Sequence, residues 1–415
     1  MDIAGRKVAD LIHQIAFKKV EKNVLPLHKT DALLEKLKVL GTESWVDTGD
    51  LDLARTVWKT GFTALTTNNT LANQVVQSGI MDEVIKDTVE RIRTAGCSMT
   101  KEELVMEIGF VINCRIALRL VEAFQAKVSV ELHPAMSRDI EKSVAYGRRY
   151  YNVCPEYFII KIPLTPEGYL AARKLRQEGI PINFTLGFSA RQNYLAARLS
   201  NPDYTNVFLG RLNAVVPDNA MGSGKFVGEK VTFATQRSIR KLRKSNPSVR
   251  TLLIGASVRS GDQVACLAGV DVLTIPPSAI KQFLDSGRKP DDIGNNVDKE
   301  FKPEIDAGHP MSARFSKLWE MPDSFEQFIA DLMGHSRLES FSGEDLVKFC
   351  EEQKVDLFHR FSSDEQKKVY DDGKIPKLKD WPDNIALDDL MTQSALQSFA
   401  KDQNALDARI RSFLV

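Results

Sequence analysis

The stretch Tyr157-Phe158-Ile159-Ile160-Lys161-Ile162-Pro163, continued by Leu164-Thr165-Pro166-Glu167-Gly168, reads as a buried strand that runs directly into a helix. The run is short and apolar, and a threonine, a proline and an acidic residue in the order of a helix start follow it. One lysine interrupts it. A lysine at the end of a buried strand has its four-carbon stem packed and its amine partly desolvated, an environment that favours the neutral form. A neutral lysine amine is a nucleophile able to form a Schiff base with a carbonyl substrate. Taken alone, such a lysine more often snorkels to solvent, so the rest of the chain decides what Lys161 is for.

Short apolar runs like this one recur from Ser44 onward. They are Trp45 to Thr48, Ala64 to Thr67, Val128 to Glu131, Phe158 to Ile162, Ile182 to Leu186, Val207 to Arg211, Leu252 to Ala256 and Val272 to Ile275. Segments of helical periodicity separate them, at 50–58, 71–93 with 101–126, 137–150, 166–178, 189–199, 229–245, 260–268 and 277–286. Strand alternating with helix implies parallel βαβ units, and eight units over this span have the size of a (β/α)8 TIM barrel. An open doubly wound sheet is the alternative, but no nucleotide-binding fingerprint accompanies the repeats. The expected fold is therefore α/β: a barrel over 43–290, N-terminal helices over 1–42, and a helical C-terminal extension over 291–415 whose last helix, from Leu387 to Phe413, packs on the barrel. In that extension Ser342-Gly343-Glu344-Asp345 and Ser362-Ser363-Asp364-Glu365 have the form of helix caps, and Asp371 to Asn384 reads as an ordered loop or linker.

Composition excludes several classes of function. The 415 residues are 43% hydrophobic and 27% charged, with a formal net charge of +1, so neither a nucleic-acid surface nor a membrane surface is indicated. The five cysteines are scattered without a CxxC pair and the six histidines without an HxxxH pair, which argues against a disulfide framework and against a bound metal. The start, Met1-Asp2-Ile3-Ala4-Gly5-Arg6-Lys7, has no signal-peptide core and no stretch reaches membrane-spanning length, so a cytoplasmic protein is expected.

In a parallel barrel the C-terminal strand ends form the active face. Polar side chains fall at those ends: Asp47, Asn68, Glu131, Lys161, Asn183 with Thr185, Arg211, and Ser257 with Arg259. Singly each is more often a cap or a loop residue; together they form a set suited to Schiff-base sugar chemistry. Lys161 is the amine that attacks a ketone, and Asp47 the carboxylate that takes the hydroxyl proton initiating carbon–carbon cleavage. Glu131 and the Thr185 hydroxyl are placed to hold the water exchanged during imine formation. Asn68 and Asn183 suit substrate hydroxyls, and Arg211, Arg259 and Ser257 suit a phosphate.

These segments resemble the transaldolase family, a branch of the class I, Schiff-base-forming aldolase superfamily. The likeness rests on Trp45-Val46-Asp47-Thr48-Gly49-Asp50, Thr66-Thr67-Asn68-Asn69-Thr70-Leu71, Val128-Ser129-Val130-Glu131, and Ile160 to Gly168. It continues through Ile182 to Ser189, Phe208-Leu209-Gly210-Arg211, Gly255 to Arg259, Leu273-Thr274-Ile275 and Ser398 to Gln403. The resemblance implies an enzyme without cofactor or metal that moves a dihydroxyacetone unit between sugar phosphates of the pentose phosphate pathway. Donors are then fructose 6-phosphate or sedoheptulose 7-phosphate, with Phe208 added to the substrate-binding set, in a monomer or a homodimer. Fructose 6-phosphate aldolases are similar, but carry Gln where this chain has Glu131 and Tyr where it has Phe208. Asn69 departs from the family's proline, Asn206-Val207 from its Ser-Pro, and 212–226 and 290–385 match nothing recognisable.

Other signals are weaker. Gly222-Ser223-Gly224-Lys225 lacks the spacing of a phosphate loop and reads as a flexible loop. Asn68-Asn69-Thr70 and Asn183-Phe184-Thr185 fit the glycosylation sequon but fall in the expected site. His133 reads as a loop histidine bonded to backbone. The competing functions are an aldolase using free dihydroxyacetone or a transaldolase-like enzyme of a specialised pathway, suggested by Asn69 and Asn206, and a scaffold acting through residues 300–415.

Overall fold

The computed structural model describes residues 3–21 and 29–414. Met1 and Asp2, where the reading of the chain start begins, and 22–28, between the two expected N-terminal helices, lie outside the described residues. Eight strands form the centre: β1 (Glu43–Asp47), β2 (Phe62–Thr66), β3 (Lys127–Glu131), β4 (Phe158–Pro163), β5 (Ile182–Thr185), β6 (Tyr204–Phe208), β7 (Leu252–Ala256) and β8 (Val272–Ile275). Each lies parallel to the next, and β8 closes onto β1. The sequence alternation thus produces the (β/α)8 barrel, because strands buried on both faces read as continuous apolar runs. Seven strands lie within about two residues of expectation.

The sixth strand is the correction. Expected at 207–211, it ends at Phe208, and a helix, Leu209–Asp218, begins at once. Val207-Phe208-Leu209 is apolar across the junction, and no side chain caps the helix, so neither periodicity nor a capping residue marks the boundary. Arg211 therefore stands in the first turn of a helix and not at a strand end.

The turn from β4 shows how sequence sets a strand end. Thr165 caps the helix Pro166–Gln177, its Oγ1 accepting from the Gly168 amide at 3.0 Å. A Cβ at Gly168 would come within 2.1 Å of the Pro163 carbonyl oxygen, so only glycine permits this helix to start so close to the strand.

N-terminal helices span Ile3–Ala16 and Ala32–Val39, the second capped by Asp31, which accepts from Leu33 N at 2.9 Å. In the extension, Ser342 and Ser362 form reciprocal capping boxes with Asp345 and Glu365. The terminal helix, Leu387–Arg411, packs on the helices Asn69–Gln77 and Lys101–Phe124, and one continuous apolar cluster runs from Ile12 through the barrel to Ile410. Arg191, on the helix after β5, pairs with Asp388 at 2.8 Å and Asp356 at 2.7 Å, so the extension is pinned through buried charge as well as apolar packing. Among the described residues no helix is long and apolar enough to cross a membrane.

Candidate active site

The strand register brings the polar ends together. Lys161 is paired in register with Glu131 on one side and Asn183 on the other, and Asp47 with Thr66. Asp47, Asn68, Lys161, Asn183, Phe208, Arg211, Ser257 and Arg259 all line one cavity of about 530 Å³ at this end of the barrel. Glu131 and Thr185 do not border it. Glu131 lies behind Lys161, in contact with its amine, and Thr185 is sealed in the wall.

Lys161 is only 4% exposed. Its Nζ donates to the Thr67 carbonyl at 2.9 Å and stands 3.0 Å from Glu131 Oε2, an ion-pair distance without hydrogen-bond alignment. Burial raises the Glu131 carboxyl above its ordinary range, and the neighbouring Lys161 opposes the shift without cancelling it. Asp47 is also raised by burial, against the attraction of Lys161, a hydrogen bond from Thr66 and the field of Arg259. Its side chain faces the cavity and is partly accessible there, although protein surrounds it on every other side. Thr66 Oγ1 donates to Asp47 Oδ1 at 2.6 Å and lies 2.5 Å from Thr274 Oγ1, a hydroxyl chain that holds the carboxylate in place.

The amides are fixed in the same manner. Asn183 Nδ2 donates to Ser129 Oγ at 3.0 Å, and Asn68 caps the helix Asn69–Gln77 by accepting from Leu71 N at 2.9 Å. Among the described residues, Asn183 Oδ1, Thr185 Oγ1 and Ser257 Oγ are buried with no protein partner. Such atoms are uncommon in folded proteins, and two of them, on Asn183 beside Lys161 and on Ser257, belong to residues that line the cavity, where a ligand or a water can bond.

The far end of the cavity is cationic. Arg211 is 9% exposed, donates through Nη1 to the Lys374 carbonyl at 3.2 Å, and lies 5.8 Å from the centroid of the Phe399 ring. Burial, then repulsion from Arg259, pulls its guanidinium down to about 10, with Asp402 acting in the opposite direction. A Cβ at Gly210 would stand 2.2 Å from the Ser257 carbonyl oxygen and 2.9 Å from Arg259 Cγ and Nε, so glycine there lets the helix that carries Arg211 approach the segment of Ser257 and Arg259. Ser257, two residues before Arg259 and likewise lining the cavity, adopts a left-handed φ of 62°.

Several contributors escaped the sequence reading. Thr66, Thr274 and Ser129 are hydroxyls inside strands; Ser129 stands two residues before Glu131, but Thr66 meets Asp47 only across the register of neighbouring strands. Phe399 and Lys374 arrive from the extension, which periodicity alone does not place over the barrel mouth. His133 caps a short turn by accepting from Ala135 N at 3.1 Å and meets Asp407 of the terminal helix at 3.3 Å, away from the cavity. Gly222 to Lys225 is held and not free: Gly224 N donates to the Glu304 carbonyl at 3.1 Å, and Glu304 N to the Lys225 carbonyl at 2.9 Å. Asn69 donates to Gln403 Oε1 at 3.0 Å, a tie to the terminal helix that proline lacks the groups to make.

The family model for Transaldolase/Fructose-6-phosphate aldolase matches residues 44–337. A probable transaldolase of Dictyostelium discoideum is 28% identical over 284 residues, covering 64% of this chain and 86% of that protein. A transaldolase of Prochlorococcus marinus is 30% identical over 324 residues, 72% of this chain and 92% of its own. A probable transaldolase of Thermus thermophilus is 30% identical over 245 residues, 58% and 90% respectively.

Proposed function

Since the chain belongs to the transaldolase/fructose-6-phosphate aldolase family, and is an enzyme of that kind, we propose that it transfers a dihydroxyacetone unit between sugar phosphates through a Schiff base on Lys161. The observation that carries the reading is the Lys161 amine, buried, 3.0 Å from Glu131, and facing a cavity that ends in two guanidiniums. Donors are fructose 6-phosphate or sedoheptulose 7-phosphate, acceptors aldose phosphates, and the setting is the pentose phosphate pathway of the cytoplasm, with the protein a monomer or a homodimer.

In this reading Lys161 Nζ adds to the ketose C2, and the carbinolamine loses water to give an iminium. Glu131 supplies and recovers the protons of that water, a task suited to a carboxyl raised by burial. Thr185, whose hydroxyl has no partner among the described residues, holds the water beside it. The iminium then accepts the electron pair of the C3–C4 bond while Asp47 takes the C4 hydroxyl proton. The aldehyde phosphate leaves, and a three-carbon enamine stays on the lysine. Addition to the acceptor aldehyde reverses these steps, Asp47 returns its proton, and water releases the new ketose. Arg211, Arg259 and Ser257 bind the phosphate, Asn68 and Asn183 the hydroxyls, and Phe208 packs against the sugar.

A second reading is an aldolase that releases dihydroxyacetone to water, since the matching family includes both activities. Turnover that depends on an acceptor aldehyde separates the two; efficient release of free dihydroxyacetone would sink the transferase reading. For the chemistry itself, borohydride reduction with fructose 6-phosphate should leave a three- or six-carbon adduct on the peptide carrying Lys161. No adduct on Lys161, or an adduct of equal yield in Lys161→Met, overturns it.

A further inference from the structure

The segment Gly373-Lys374-Ile375-Pro376 lies beyond the residues that match the family, yet Lys374 and Ile375 line the cationic end of the cavity. Its path is fixed at both sides. Gly373, at φ 87° and ψ −141°, occupies a region of backbone space that is essentially restricted to glycine and turns the chain away from the preceding helix, Ser363–Asp372. The Gly373 carbonyl accepts from Ser394 Oγ of the terminal helix at 3.0 Å. On the other side, Asn219, at the end of the helix that carries Arg211, donates to the Pro376 carbonyl at 3.1 Å and accepts from Leu378 N at 2.7 Å. Asp372 Oδ2 ties the strap to itself, accepting from Lys377 N at 3.1 Å and Trp381 Nε1 at 2.8 Å. Arg211 donates to the Lys374 carbonyl at 3.2 Å, so the strap and the buried guanidinium fix each other.

The charges at this end need a third cation. Asp218 is on the cavity rim, and Asp402 acts on Arg211. Against these two carboxylates, Arg211 and Arg259 alone leave no net positive charge for a phosphate that carries roughly −1.5 to −2. Lys374 supplies it. Among the described residues its ammonium enters no hydrogen bond or ion pair, whereas its carbonyl is committed to Arg211.

We propose that Lys374 is a specificity-determining residue, the third cation that the strap 373–378 carries to the phosphate of the sugar substrate. The inference rests on the phosphorylated-sugar reading above and extends it. Its consequence is a preference for phosphorylated over unphosphorylated carbonyl substrates that the barrel strands alone do not set. The strap contributes no group to the Schiff-base steps, so its effect falls on binding and not on turnover.

The test is Lys374→Met, which keeps the stem and removes the charge, with Lys374→Arg as the conservative control. Inorganic phosphate, as competitor, probes the site without chemistry. In Lys374→Met, KM for fructose 6-phosphate and the inhibition constant of phosphate should each rise about three- to tenfold, with kcat within about twofold. The KM for unphosphorylated glyceraldehyde as acceptor should not change, and Lys374→Arg should restore both phosphate-dependent values. The proposal is overturned if phosphate inhibition of Lys374→Met matches the wild type, or if the glyceraldehyde KM rises in parallel, which is what displacement of the strap alone would give. A wild type that forms no borohydride adduct instead refutes the Schiff-base reading; the phosphate competition can still be read as binding.

Discussion

Glu131→Gln isolates the proton carrier from the shape that holds it. Glutamine keeps the volume of Glu131 and an acceptor for the Lys161 amine, but neither takes up nor releases a proton. If Glu131 moves the protons of imine formation and hydrolysis, kcat should fall by the 10²- to 10⁴-fold typical of a lost general acid–base, about 3–5 kcal/mol of barrier. The same substitution also removes one partner of a buried ion pair, a loss that can destabilise a protein by about 3–5 kcal/mol. The structure decides which effect dominates here. Desolvation is the largest influence on Glu131 and raises it despite a lysine at 3.0 Å, so burying this carboxylate is not fully compensated. Lys161 also keeps the Thr67 carbonyl at 2.9 Å. The variant should therefore melt within a few degrees of the wild type, roughly the span of 1 kcal/mol in a chain of this size. Its borohydride adduct should still form, only more slowly, because the Lys161 nucleophile is kept while the proton transfers of imine formation lose their carrier. Steady-state turnover, adduct formation over time and a melting curve at neutral pH make the assay. A kcat within about threefold of the wild type removes the proton-carrier role, and a large fall in melting temperature refutes the claim that desolvation outweighs the pair.

Two further outcomes follow from the same balance of burial and charge. Thr66→Val deletes the hydrogen bond at 2.6 Å that favours ionised Asp47. That carboxyl then rises further, and the acid limb of the pH–rate profile should move up by as much as about one pH unit; an unmoved limb breaks the link between Asp47 and that limb. Asp389, buried in the terminal helix, is raised by burial to about 7, from an ordinary value of 3.8. Its folded-state preference for the proton gives stability that is complete below the ordinary value and is lost as pH rises towards about 7. Asp389→Asn should thus gain stability over the wild type by about 3 kcal/mol more at pH 8 than at pH 5. A gain that is the same at both pH values, measured by denaturant unfolding, refutes it.

How much of this was legible depends on where the determining contacts are made. Strand ends such as Asp47, Glu131 and Lys161 stand out because a charge interrupts an apolar run, and burial of the run dictates the strand. Arg211 was recognised as cationic but misplaced, since Phe208-Leu209 continues the apolar pattern across the change from strand to helix with no cap to mark it. The hydroxyls of Thr66, Ser129 and Thr274 were not singled out, because threonine and serine inside a strand are ordinary residues until their register partners are known. Lys374 and Phe399 were out of reach for a different reason. Their distance from Arg211 is set by long-range packing of the extension, which local periodicity does not encode.

That packing changes the part the extension plays. The barrel strands supply the amine, both carboxylates and the Asn183 amide, and the turn after β2 supplies Asn68, yet a barrel mouth left open to water would leave Asp47 and Arg211 better solvated and their shifts smaller. The terminal helix brings Phe399 against Arg211 and Phe208, and ties the loop of Asn68 through Gln403 and Asn69. The strap adds Ile375 and Lys374 over the same end. Arg191, bonded to Asp388 and Asp356, fixes that cover to the helix behind β5, so the walls of the cavity and its cover share one buried charge cluster. Enclosure strengthens every charge–charge interaction inside the cavity, including the repulsion between Arg211 and Arg259, which an incoming phosphate would relieve. The proposed chemistry thus rests on the strand ends, and the electrostatic setting around them comes from residues far downstream in the chain.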